Sequence, residues 1–202
     1  GIDMTVQEFF KKLIPLLKKK GIKGVYRKFL EKTHVVPAKN QFIYDFDYLV
    51  DDVKIPLSEK AYEAHKDDEI KILNWVIPEM GKGSGGHLNI FRFVSFLEKM
   101  GFHSRIYLFK APTLHDNESV REFLKDYFPI LDERVEAYWD VKYAKFAHAT
   151  IATSWETAYF VKNFDNTISK FYFVQDYEPF FFPHGSYYEL AKNTYRFGFR
   201  GI

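Results

Sequence analysis

The apolar residues of this chain settle into a regular alternation of periods from residue 70 onward. Ile70-Lys71-Ile72-Leu73-Asn74-Trp75-Val76-Ile77 is short, rich in β-branched and aromatic side chains and stopped by Pro78, which predicts a strand over 70–77. After the turn Pro78-Glu79-Met80-Gly81-Lys82-Gly83-Ser84-Gly85-Gly86, Leu88, Phe91, Val94, Phe96, Leu97 and Met100 recur at helical spacing until Gly101, which predicts a helix over 87–100. The same reading gives strand 104–109, helix 117–128, strands near 135–139 and over 146–153, helix 155–163, strand 169–175 and helix 185–193. Strands that alternate with helices form βαβ crossovers, so the fold class expected is α/β, a parallel sheet with helices on both faces. Ligands of such sheets bind beyond the carboxyl ends of the strands, which singles out the loops 78–87, 153–156 and 175–184.

Upstream of residue 68 the pattern is different. Residues 5–32 read as one or two amphipathic helices, kinked or split at Pro15. Phe42, Tyr44, Phe46, Tyr48 and Val50 alternate with polar neighbours as an edge strand or an extended arm would, and 59–69 reads as a short polar helix. The expected division is a basic helical extension and arm over 1–67 and an α/β body over 68–202. At the other end, Tyr195-Arg196-Phe197-Gly198-Phe199-Arg200-Gly201-Ile202 alternates aromatic with basic or glycine residues, as a strand or linker entering a further domain would.

Composition narrows the function classes. The 202 residues are 47% hydrophobic and 28% charged, enough for one good-sized core and inconsistent with wholesale disorder. The aromatic share of 19% is high, and packing is the default role for any one ring. With no cysteine, disulfides and thiolate metal sites are excluded. No run of 18 apolar residues and no uninterrupted apolar signal core is found, so neither a membrane span nor a secretion signal is expected. Residues 1–35 carry nine Lys/Arg against three acids although the whole chain is only +2. That basic face over 5–32 reads either as a solvated face of docked helices or as a peripheral contact with anionic membrane lipid. The acidic run Asp45, Asp47, Asp51 and Asp52 lacks metal-loop spacing, and no metal site is expected. No nucleic-acid motif or stacking platform accompanies the lysines.

Gly81-x-Gly83-x-x-Gly86 satisfies the dinucleotide fingerprint literally, but two physical features oppose a bound cofactor. Pro78-Glu79-Met80 lengthen the loop before the first glycine, and the second strand ends Leu108-Phe109-Lys110-Ala111, without the acid that would take ribose hydroxyls. His87 follows Gly86 where a phosphate-binding P-loop would carry Lys-Ser/Thr.

The stretch from Pro78 through Gly85-Gly86-His87 to Met100-Gly101-Phe102-His103, together with Ala149-Thr150-Ile151-Ala152-Thr153-Ser154-Trp155-Glu156-Thr157-Ala158 and Phe171-Tyr172-Phe173-Val174-Gln175-Asp176-Tyr177-Glu178-Pro179, resembles glycosyltransferases of the two-domain GT-B fold. The likeness is to the large family 4 branch and, within it, to bacterial rhamnosyltransferases of surface-glycan synthesis, over roughly residues 68–202. The resemblance implies a Rossmann-like acceptor-side half whose donor domain, with its Glu-x₇-Glu pair, is absent, since no two glutamates here lie eight positions apart. It implies a nucleotide-sugar donor bound mainly by that other domain, a glycan or lipid-linked glycan acceptor, no cofactor, retention without a metal, and a cytoplasmic setting at the inner face of the membrane. No catalytic residue is named. The substrate-binding residues it implies are Gly85 and Gly86, whose backbone approaches donor phosphates or the transferred sugar; His87 at the helix start; Trp155 and Glu156; and Gln175, Asp176, Tyr177 and Glu178, which fix and stack the acceptor. A non-catalytic α/β binding module is the competing reading, and finding the three loops along one rim would favour the transferase.

Overall fold

The computed structural model describes residues 59–202, so the expectations for 5–32, for the 42–50 arm and for its acidic run lie outside the described residues. The described chain runs α1 (Glu59–His65), β1 (Ile72–Pro78), α2 (Gly85–Lys99), β2 (His103–Phe109), α3 (Asn117–Tyr127), β3 (Glu136–Tyr138), a 3₁₀ turn (Val141–Tyr143), β4 (Ala147–Ala152), α4 (Trp155–Asn163), β5 (Thr167–Tyr172), a 3₁₀ turn (Glu178–Phe181), α5 (Ser186–Asn193), a 3₁₀ turn (Thr194–Arg196) and β6 (Arg200–Gly201). Every strand and helix expected from residue 59 onward is present, and the closing aromatic stretch supplies β6.

Local chemistry sets the boundaries. Ser84 caps α2 by accepting the His87 N–H, which starts the helix at Gly85, two residues before the expected 87. The helix ends with Gly101 at φ 93°, whose N–H bonds to Glu98 while the Phe102 N–H bonds to Leu97, a Schellman closure that needs a left-handed residue. Reciprocal capping boxes, Asp116 with Ser119 and Ser154 with Thr157, open α3 and α4. β5 differs most from expectation. It starts at Thr167, whose hydroxyl donates to the Ala147 carbonyl and meets Thr150 Oγ1, and it leaves the ladder after Tyr172.

All six strands are parallel, in the order β3-β2-β1-β4-β5-β6. The chain builds outward from β1 to one edge, crosses back, and builds outward from β4 to the other, which is the doubly wound Rossmann-like order. Leu73, Trp75 and Ile77 of β1 pack with Ile106 and Leu108 of β2 against Ile90, Phe91 and Val94 of α2 and Val120 and Leu124 of α3. Their alternation partners on β1 face the other layer, where α4 packs on β1, β4 and β5. The described residues fall within one compact unit.

Candidate functional site

The reversal of strand order between β1 and β4 leaves a crevice beyond their carboxyl ends, because the loops leaving these two neighbouring strands go to opposite faces. Thr153 closes its base by donating its hydroxyl to the Val76 carbonyl at 2.9 Å. The glycine turn is one wall. Gly85 and Gly86 are the first residues of α2, exposed, and Gly83 holds φ 70°, which suits it to this turn. A Cβ on Gly85 would meet nothing within 4 Å, whereas one on Gly86 would sit 3.7 Å from both amide atoms of Gln175. The glycine turn and the loop after β5 are therefore adjacent.

The loop after β5 also joins the start of α4. Both carboxylate oxygens of Glu178 accept the Trp155 N–H, at 3.1 and 3.2 Å, and the Tyr172 hydroxyl donates to Oε1 at 3.2 Å. Burial pushes the Glu178 carboxyl up to about 7, with the charges of Glu156 and Asp176 adding and the bonds from Trp155 and Tyr172 opposing. Tyr172 is itself raised by burial and by facing that carboxylate. All three loops thus lie along a single rim.

Individual residues take different places on it. Gln175, Asp176 and Tyr177 are exposed, with the Asp176 carboxylate accepting the Tyr177 N–H at 2.7 Å. Trp155 is 5% exposed, and its indole packs among Tyr159, Phe182 and Tyr187, beneath the surface of the loop. Glu156 is half-buried in the first turn of α4. His87 is engaged within the turn. Its Nε2 lies 3.1 Å from the Pro78 carbonyl, which can only accept, so the neutral ring carries its proton there and Nδ1 accepts from the Ser84 hydroxyl at 2.8 Å. Burial lowers its pKa and favours that neutral form.

Two supporting groups were not apparent in the sequence. Glu79 accepts from the Thr113 N–H and hydroxyl and from the Leu114 N–H at 2.5–2.8 Å, fastening the glycine turn to the loop after β2. The Tyr195 hydroxyl donates to the Asp176 carbonyl and accepts the Glu178 N–H, fastening the β5 loop. Partners 17 to 35 residues away leave no local signal. Ser84 was findable, as a cap residue standing before a helical stripe.

Away from the rim, a cavity of about 460 Å³ lies beside α3, lined by Arg121, Leu124, Lys125, Phe128 and Val135 among others, none of them in the three loops. At the amino edge, His65, Asp68 and His148 bring one potential metal-ligand atom each within 4.8 Å. The Ile72 N–H donates to His148 Nδ1 at 2.9 Å, which leaves the neutral ring's proton on Nε2, 3.1 Å from Asp68. As held here the ring offers that side a proton rather than a lone pair, and the trio ties α1 to the sheet.

No family model matches the chain, and no solved structure matches it. Among curated proteins it is similar to the O-antigen biosynthesis protein RfbC of Myxococcus xanthus, with 28% identity over 148 residues, or 66% of this chain. The aligned stretch spans 11% of that protein's length.

Proposed function

We propose that this chain is the acceptor-side half of a glycosyltransferase that moves a sugar, rhamnose in the first instance, from a nucleotide sugar to a glycan acceptor in the synthesis of surface polysaccharide. The observation that carries the reading is the convergence of the glycine turn, the start of α4 and the loop after β5 on one rim at the reversal of strand order. The name of the M. xanthus relative supports the polysaccharide setting. At the glycine turn, the α2 N-terminus presents backbone N–H groups and a positive dipole end to an approaching phosphate, and the space over Gly85 lets an oxygen come close. Across the crevice, the Gln175 amide and Asp176 carboxylate can fix acceptor hydroxyls while Tyr177 offers a ring face. Glu178 and Trp155 hold the loop in place, and His87 holds the turn.

In this reading the glycine turn supplies part of the donor site, a weak contact with the phosphates that is readable at millimolar ligand, and the acceptor lies across the crevice. The setting is cytoplasmic, where nucleotide sugars are available, with the basic segment 5–32 against anionic lipid at the inner face. No helix among the described residues is long and apolar enough to cross a membrane.

Amide chemical-shift mapping with dTDP-rhamnose tests the assignment. The expected response is at Gly85, Gly86 and Gln175. Shifts confined to other elements, or none at millimolar ligand, would refute it. A non-catalytic binding module would respond to a glycan without any nucleotide-sugar response at the turn.

A further inference from the structure

Phe180 and Phe181 are the two most exposed phenylalanines of the described chain, and they are adjacent. They are 77% and 61% exposed, side by side in the 3₁₀ turn on the same rim as the glycine turn. Single exposed apolar side chains are ordinary, but two adjacent phenylalanines on a fastened loop are not. The loop is held by a graded ring ladder. Tyr172, 3% exposed, stacks on Tyr195 at 5.6 Å, Tyr195 lies 5.2 Å from Tyr177, and Tyr177 meets Phe180 edge to face at 4.8 Å. The Tyr195 hydroxyl bonds the backbone of Asp176 and Glu178 from below. The outermost ring is therefore positioned before anything binds, which removes much of the ordering cost of binding.

We propose that the Phe180 ring, backed edge to face by Tyr177 and bordered by Phe181, is a stacking platform for a pyranose ring of a neutral or weakly charged glycan. The proposal deepens the glycosyltransferase reading and rests on it for the glycan's role as acceptor. Charge selects the occupant. Between residues 171 and 191 the exposed charged side chains are Asp176 and Glu189, and the flanking Lys170 and Lys192 are engaged by the Lys162 carbonyl and by Glu189, unlike a surface that docks on anionic lipid. Aromatic faces beside carboxylate and amide groups match a polyhydroxylated ring. One face of a pyranose presents C–H groups with partial positive charge to the π cloud, while its hydroxyls donate to Asp176 and exchange bonds with the Gln175 amide.

Saturation-transfer NMR on the 202-residue chain with methyl α-rhamnopyranoside and methyl α-glucopyranoside tests this, with Phe180→Ala, Phe181→Ala and Phe180→Trp as variants and circular dichroism as the fold control. The expected result is transfer to ring C–H protons, about tenfold weaker affinity in each alanine variant and recovery in Phe180→Trp. Equal binding by the alanine variants, or no binding of either sugar by the native chain, overturns the platform. So does finding that the alanine variants instead lose phosphatidylglycerol vesicle binding or self-association, which would give the face to lipid or to a second copy. Pyranoside binding at Phe180 without any dTDP-rhamnose response at Gly85 keeps the platform and removes the transferase. A nucleotide-sugar response with no pyranoside binding does the reverse.

Discussion

Glu178 is the residue at which environment most changes what the side chain can be. As a residue type after a strand end it reads as a surface acid in a polar turn. In the fold it lies against Trp155 and Tyr172, buried enough to raise its carboxyl from 4.5 to about 7. Between those values the folded state holds a proton that the unfolded chain has released, so this group favours folding at low pH and the advantage is lost as pH rises through about 7. Glutamine keeps an acceptor for the Trp155 N–H without a charge to bury. Glu178→Gln should therefore match the native chain near about pH 5 and exceed its stability by about 1–3 kcal/mol near about pH 8, read from urea midpoints. The lowered pKa of His87 gives an opposite trend, stabilising above its usual 6.5 and lost on acidification, but it is common to both proteins and cancels in the difference. His87 teaches a similar lesson about legibility. Its place at the helix start was readable, but the commitment of both ring nitrogens to Pro78 and Ser84 depends on a loop path that the sequence does not specify.

At the scale of elements, the sequence was informative wherever period and cap agreed. The stripe from Leu88 to Leu97, with Ser84 before it and Gly101 after it, specifies α2 almost to the residue. β5 begins two residues before the expected 169 because Thr167 looks polar, yet Thr167 is buried and bonded to Ala147 and Thr150, so tertiary context supplied what the local pattern lacked. The start of α2 offers a test that separates folding from binding. Alanine is the better helix former, and nothing obstructs a Cβ at Gly85. Gly85→Ala should raise stability by up to about 1 kcal/mol in thermal melts while weakening the Gly86 and Gln175 response to dTDP-rhamnose. An unchanged response would take the turn out of the site.

For the whole molecule, alternating strands and helices implied a parallel sheet but could not order it. Period-2 and period-3.6 patterns report which faces are apolar and say nothing about which free edge the fourth strand joins. That β4 adds to β1 rather than beyond β3 is what brings residues 79, 86, 155 and 175 to one place. The loops there are also tied down at several points: Glu79 to Thr113 and Leu114, Ser84 to His87, Glu178 to Trp155, and Tyr195 to the backbone of residues 176 and 178. Loops fastened in this way move with the sheet, on the picosecond to nanosecond scale of local fluctuation rather than the slower scale of lid opening. Relaxation-dispersion profiles should then be flat from Glu79 to Ser84 and from Gln175 to Glu178, and millisecond exchange there would contradict the geometry. The consequence is kinetic: with none of these described loops acting as a gate, a ligand's arrival at them would be paced by diffusion and orientation, and differences between ligands would be written in how long each one stays.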